Sequence, residues 1–567
     1  MQEIAVSGSF ATANFYGNDS YLLDSPFYFL HRKGYSMKLA RKLLSCLLGA
    51  GLLAGAAFAD EFGFDDSGFD FGDSGESSGS SSAPSSSLSV NGEAVLDGRL
   101  YLDRRDGNGD RYSFSNFPTD VFPMFRLGID YTGAYTDFSG KIKLNKFSLG
   151  NYKQDILEEF TARVYVNNNL QLEAGKMKVV WGKGDKLHVL DNFNANDYTD
   201  YVIPDYIDRR IAEPMFRAIF TTNSGIKFEG VYTPTMTADR LASSGVWQPK
   251  ATKSLTQKVT QAVGTALATL NASQTAAAQA AAAVQAGSKD AATIALAKTY
   301  PQAYSNYLNY QTNALSIMSD PSSIYPDTFA FKYGQAGIRS TFTIGQVDLG
   351  ASYYYGHYKQ PTANLSVLLD VSNLDNVKKN LLHYDRVNIF GLEAATVIWR
   401  FNTRAEFAYH LTEDTAGDDP WVRNNSIAWL AGFDIDLPIH NINLNLQNQG
   451  SYILNNRKID DGDGLSAAYK AAGLTDSEYD AKGRYSNNKI VVAITDSWDH
   501  EKTKLDLKGI WGIERSDLII MPKISRNIFD GFDLSLSGLF IWCKDENSEF
   551  DGWEHNSFVT LGAKYQF

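Results

Sequence analysis

The sequence predicts an all-β chain: one antiparallel up-and-down barrel of about 18 strands (16–18), with a helical insertion in one connection. Three observations predict it. Apolar and polar residues alternate with period two over many segments of about ten residues. The connections between those segments alternate between short and long. No segment after residue 59 has about 18 consecutive apolar residues, so no helix is expected to span a bilayer.

The alternation is read segment by segment. Phe125, Leu127, Ile129, Tyr131 and Tyr135 share one face, and Arg126, Asp130, Thr132 and Thr136 share the other. Ile442, Leu444 and Leu446 alternate with Asn441, Asn443, Asn445 and Gln447. Leu505, Leu507, Trp511 and Ile513 alternate with Lys504, Asp506 and Lys508, and Phe532, Leu534, Leu536, Phe540 and Trp542 with Asp533, Ser535 and Ser537. Strands fall near 91–103, 122–136, 140–148, 156–166, 170–183, 214–222, 225–234, 331–343, 346–359, 385–400, 403–413, 425–437, 441–454, 486–497, 502–513, 517–526, 531–543 and 557–567. On the side of the amino-terminal tail the connections are short, such as Asn167-Asn168-Asn169 and Phe401-Asn402. On the far side they are mostly long: 104–121, 149–155, 184–213, 235–330, 360–384, 414–424, 455–485 and 544–556. An even strand count with both ends on one side suits a sheet that closes on itself. In lipid it must close, because every backbone group has to be paired internally.

The organisation ahead of the barrel is that of an exported chain. Met37 opens a stretch with Lys38, Arg41 and Lys42, an apolar run, and Ala57-Phe58-Ala59 before Asp60. That is a signal peptide over 37–59. Residues 1–36 read as a mis-assigned leader. Residues 60–90, including EFGFDDSGFDFGDSGESSGSSSAPSSS, bury too little apolar surface to fold and read as a disordered periplasmic tail. The barrel is assigned to 91–567. Within it, 235–330 carries an Ala-rich stretch with helices expected near 252–286, 289–299 and 301–318.

Composition excludes some classes. A formal net charge of −13 argues against a nucleic-acid partner. Of two cysteines, Cys46 lies in the signal segment, leaving Cys543 without an intrachain disulfide partner. Aromatic residues make up 13% of the chain, a share that suits interfacial girdles and also an ordinary soluble protein.

The last eleven residues, SFVTLGAKYQF, place Val559, Leu561, Ala563, Tyr565 and Phe567 on one face. This segment resembles the closing strand of bacterial outer-membrane β-barrels, in which Tyr565 and Phe567 would be the signal read by the barrel-assembly machinery. The pattern of Trp181-Gly182 after a strand, an Asp-rich loop with Asp208-Arg209-Arg210, then Pro214-Met215-Phe216-Arg217, resembles porins and a family of uncharacterised porin-like outer-membrane proteins. The resemblance implies a barrel in the outer membrane of a diderm bacterium, with outer-membrane lipid and small solutes as partners and a homo-oligomer as a possible assembly. It implies no substrate.

The loop 184–213 is the strongest site candidate. It carries Asp185, Asp191, Asp197, Asp200, Asp205, Asp208, Arg209, Arg210 and Glu213. In general porins the third extracellular loop folds inward and narrows the lumen, and the resemblance implies that role here. The constriction candidates are Asp200, Asp205, Asp208, Arg209 and Arg210. Facing them, alternation puts Arg126, Arg163, Arg339, Arg404 and Glu406 on inward wall positions. Carboxylates opposite basic wall residues would set a transverse field that selects solutes.

Other chemistry is weakly encoded. Asp106-Gly107-Asn108-Gly109-Asp110 and Asp460-Asp461-Gly462-Asp463-Gly464 lack the glutamate a helix–loop–helix calcium site requires at its twelfth position, so no metal site is expected. The eight histidines, at 31, 188, 357, 383, 410, 440, 500 and 555, are scattered, and no catalytic motif accompanies them. No enzyme activity and no cofactor are expected. The expected function is a porin-like channel for passive diffusion of small solutes. The alternatives are a gated transporter of hydrophobic molecules, similar to fatty-acid transporters, and a surface adhesin or structural barrel.

Overall fold

A computed structural model describes residues 86–105, 110–112, 118–150, 155–185, 187–200, 206–544 and 548–567. The segments expected to be leader and signal peptide, and almost all of the expected tail, therefore lie outside the described residues. The chain divides into two units. In one, which includes 103–118, Asp103 pairs with Arg111 at 2.7 Å. The other is the barrel.

The barrel is one closed sheet of 18 antiparallel strands. They are β1 (Ser87–Tyr101), β2 (Thr119–Thr132), β3 (Thr136–Asn145), β4 (Leu157–Tyr165), β5 (Leu170–Met177), β6 (Glu213–Thr221), β7 (Lys227–Thr233), β8 (Gln335–Ile344) and β9 (Val347–His357). The second half comprises β10 (Arg386–Ile398), β11 (Phe401–Thr412), β12 (Ser426–Asp436), β13 (Asn443–Ile453), β14 (Ser486–Trp498), β15 (Thr503–Gly512), β16 (Asp517–Phe529), β17 (Phe532–Cys543) and β18 (Phe558–Gln566). Each strand pairs with its sequence neighbours, and β18 closes on β1 with Ala94 opposite Tyr565 and Leu100 opposite Val559. Two corrections concern boundaries. β1 begins at Ser87, because 87–90 already pair with β2 (Ser87 opposite Thr132), so the tail ends before residue 90. β5 ends at Met177, not 183, because 178–183 leave the sheet.

Period two decides which side of the wall each residue meets. Val90, Ile129, Phe160, Phe216, Ile338, Leu392, Phe407, Trp511, Trp542 and Leu561 all face outward and are exposed. Among the described strand residues, outward charges occur at strand ends: Lys176, Arg386, Asp496 and Arg526. The inward set is polar, with Glu93, Arg126, Arg163, Glu173, Arg217, Glu229, Arg339, Glu393, Arg404 and Lys489 among it. An apolar outside around a charged inside inverts the pattern of a soluble barrel and matches a bilayer-spanning one. No helix of the described residues is long and apolar enough to cross a membrane.

The helical insertion has its own core. Helices α1 (Lys250–Gln285), α2 (Ala291–Lys298) and α3 (Tyr300–Ser319) match the predicted positions within a few residues. Gly287, at φ +97°, turns the chain after α1, and Asp290 caps α2 by accepting the Thr293 N–H. Val259 and Val263, one turn apart, pack with Tyr310, Ala314 and Ile317 of α3. The same cluster takes in Leu374 and Val377 of α4 (Leu374–Asn380), so two long connections fold together.

Candidate functional site

The described residues of the connection 178–212 lie against the inner wall, touching inward-facing residues on β1, β2, β7 to β11 and β13. It leaves β5 and Trp181 Nε1 donates to Glu229 on β7 at 2.8 Å. Asp185 then reaches β13, accepting from Asn445 Nδ2 at 2.7 Å. The chain returns past β10 and β8, and Asp200 and Asp208 end on β1 and β2. Strands β5 and β13 lie nearly opposite each other in the ring, so this path crosses the interior.

Three kinds of contact hold the loop there. The first is packing. Trp181 and Phe193 are fully buried, meet edge-to-face at 4.9 Å, and Phe193 meets Tyr354 on β9 at 5.1 Å. Burying each such ring stabilises by roughly 1.5–3 kcal/mol. The wall makes room with hydrogen atoms in place of side chains. A Cβ on Gly337 would lie 2.8 Å from both rings, and one on Gly391 would lie 2.5 Å from Leu190.

The second is a carboxylate clamp. Glu406 on β11, with a fully buried side chain, accepts from Gly184 N at 2.6 Å, Val189 N at 2.7 Å and Leu190 N at 3.3 Å. His188 Nδ1 lies 3.0 Å from the same carboxylate. Three backbone donors aimed at one buried carboxylate form a charge-assisted anchor.

The third is a pair of ion bridges at the other end. Arg99 donates to both oxygens of Asp200 at 3.0 Å, with its guanidinium against the Phe122 and Phe558 rings at 4.4 and 4.3 Å. Arg126 holds Glu158 through two bonds, at 2.7 and 3.0 Å, pairs with Glu93, and reaches Asp208 at 2.9 Å. Within the loop, Asn194 staples the two legs. Its side chain accepts from Val179 N and donates to the carbonyls of Met177 and Ile211.

The predicted residues thus divide. Asp200 and Asp208 meet arginines of the wall. Arg210 is buried inside the loop, donating to the carbonyls of Asn194 and Asp191 at 2.7 and 3.0 Å. Arg209 lies over the Tyr198 ring at 5.4 Å. Asp205 lies outside the described residues. Of the wall candidates, Arg126 and Arg404 meet loop carboxylates, Arg404 at 3.7 Å from Asp185 and 3.1 Å from Asp434. Arg163 and Arg339 are instead neutralised within the wall. Arg163 pairs with Glu173 at 2.8 Å, Glu173 with Arg217 at 3.2 Å, Arg217 with Glu229 at 2.8 Å, and Arg339 with Glu393 at 2.6 Å. Tyr565 faces outward on β18, and Phe567 is the residue after that strand.

Sequence reading missed Arg99, Asn194 and the carboxylates of this ladder. Alternation alone would have placed Arg99 inward, beside Asp97 and opposite the outward Leu96, Gly98 and Leu100. Its partner, 101 positions away, has no local signature.

No family model matches the chain, and no curated protein matches it. Solved structures similar to it include OmpF of Salmonella typhi in complex with daunomycin (8% identity, 85% of this chain and 97% of that one, TM-score 0.35). OccK11 (OpdR) of Pseudomonas aeruginosa is similar at 9% identity over 85% and 96%, TM-score 0.39. OpdQ of the same organism is similar at 7% identity over 85% and 97%, TM-score 0.40. Similarity at this level assigns no function.

Proposed function

We propose that this chain is an outer-membrane, porin-like channel through which small solutes diffuse passively, with the lumen narrowed by the connection 178–212. The observation that carries the reading is the Glu406 clamp, which fixes a loop leaving β5 against a strand six positions away around the barrel. A barrel of this strand number is wide enough to leave an aqueous path around such a loop. The charged inner wall supports polar solutes and weighs against a transporter of hydrophobic molecules. Diffusion down a gradient needs no energy source and no catalytic group.

The role of Asp200, Asp208, Arg126 and Arg404 follows from the pairing. They set the shape of the constriction by tying loop to wall, and the charge they leave uncancelled biases which ions pass. Outer-membrane lipid covers the apolar exterior, and the barrel-assembly machinery inserts the chain.

The test is solute flux into proteoliposomes holding the refolded full chain. Swelling in small sugars that falls away as solute size grows supports the channel. Liposomes as tight as protein-free ones overturn it.

A further inference from the structure

A cavity of about 320 Å³ lies beside the loop, toward the far-side mouth. That is at the lower end of small-molecule sites, roughly 300–1,000 Å³. Its floor is apolar, formed by Val387 and Ile389 of β10, and its sides carry Asn192, Asn194, Asn196, Tyr354 and Tyr358. Five charged residues line it: Asp191, Arg210, Asp239, Lys359 and Arg423.

Three of the five are satisfied by their own partners. Arg210 pairs with Asp191. Lys359 is held by Glu213 at 3.2 Å and by Gln335 Oε1 at 2.7 Å. The side chains of the other two make their hydrogen bonds to neutral groups, with their counter-charges farther off. Asp239 accepts only neutral donors, Asn196 N at 2.8 Å and Gln360 Nε2 at 3.1 Å, and no cation lies within ion-pair distance of it among the described residues. Arg423 donates to the carbonyls of Gln360 at 3.0 Å and Pro361 at 3.4 Å, and its nearest carboxylate, Asp385, is 4.0 Å away. Asp385 and Glu478 offset part of the Arg423 charge and Lys359 part of the Asp239 charge, and what is left is presented to the cavity that both groups line.

The two also share a partner. Gln360 bridges them: its side-chain amide donates to Asp239, and its backbone carbonyl accepts from Arg423. One anionic and one cationic contact therefore flank the same residue in the cavity lining. The buried Nδ2 of Asn192 has no partner and supplies a further donor.

We propose that this cavity is a binding station for a small zwitterion, its ammonium against Asp239 and its carboxylate against Arg423, on the path of the channel. The inference rests on the channel reading and names the class of solute that would pause there. A singly charged solute would satisfy one group and leave the other facing it unpaired. A dipolar solute satisfies both, so specificity comes from the pairing and not from net charge.

The experiment is calorimetric binding to the full chain refolded in detergent, with L-alanine, propionate, ethylamine and propionamide as probes. The expected result is binding of L-alanine at least about tenfold tighter than of propionate or ethylamine, a difference of 1.4 kcal/mol. Asp239→Asn should erase the preference over propionate, and Arg423→Gln the preference over ethylamine. Equal affinity for all four probes, or an unchanged preference in both variants, overturns the proposal. Circular dichroism checks that each variant refolds; if neither does, the ranking of the four probes on the unsubstituted chain still decides. Binding is read without any flux measurement. A tight liposome with selective alanine binding therefore removes the channel and keeps the site, whereas flux without selectivity does the reverse.

Discussion

The carboxylate of Glu406 lies 3.0 Å from Nδ1 of His188, a residue 218 positions away in sequence that belongs to a loop and not to the wall. Both side chains are almost fully buried. That contact, with the three backbone donors around it, is where the loop meets the wall six strands from its origin.

Replacing Glu406 should therefore act on the loop before the barrel. Glu406→Ala leaves the Gly184, Val189 and Leu190 N–H groups without their acceptor, each buried donor so orphaned costing about 1–3 kcal/mol. Hydrogen exchange should show 182–196 losing protection while the strands keep theirs. Uniform loss across barrel and loop would mean that Glu406 supports the wall.

The glycines under the loop give an independent handle. A side chain on Gly337 would collide with the Trp181 and Phe193 rings and with the Tyr353 carbonyl oxygen, 2.9 Å from the added carbon. Gly337→Val should displace both rings and cost about 1–3 kcal/mol through overpacking. The readout is intrinsic fluorescence, in which Trp181 moves toward an exposed signal. An unchanged spectrum would contradict the packing described.

The Arg99–Asp200 bridge is testable by a double-mutant cycle. Arg99 is buried between two rings and bidentate to Asp200, so the pair should show a coupling of about 1–3 kcal/mol in loop stability. Arg99→Gln and Asp200→Asn made together should cost less than the sum of the two alone. Additive effects would show that the pair does not hold the loop.

A pH response is expected where two far-side connections meet. Burial lifts Glu478 to about 7; the Asn424 N–H, at 2.7 Å, and Arg423 oppose the shift, and Asp476 and Asp385 add to it. Burial likewise lifts Asp476 to about 6. Folded-state values above the unfolded ones mean that protonation favours the packed connection. Its stability is greatest below about pH 4.5 and is lost as pH rises through about 7. Both groups keep partial solvent exposure, and screening limits the effect to about one order of magnitude in exchange rate over 455–485. Glu478→Gln should flatten the profile; an identical profile in that variant would assign the response elsewhere.

Much of this architecture is written locally. Alternation at Phe125–Tyr131 or Phe532–Trp542 fixes which side of a strand faces lipid, and a run such as Asn167-Asn168-Asn169 marks a turn. Helices α1 to α3 are legible because alanine, glutamine and leucine dominate their stretch. The site was legible only as a place: an inward loop rich in aspartate. Its contacts were not, because Glu406 meets His188 and Arg99 meets Asp200 across separations that leave no periodic trace. The same holds for Arg163 and Arg339. Their inward position follows from parity, but their neutralisation by Glu173 and Glu393 depends on which strands neighbour which. Asp239 and Arg423 lie in long connections, where parity gives no orientation at all.

The central claim is an open lumen narrowed by a tethered loop, and single-channel conductance in planar bilayers tests it most directly. The refolded full chain should give discrete steps, and Glu406→Ala should give larger ones under the same salt and voltage. Bilayers that stay silent with both proteins, at every voltage and with insertion confirmed, would contradict it.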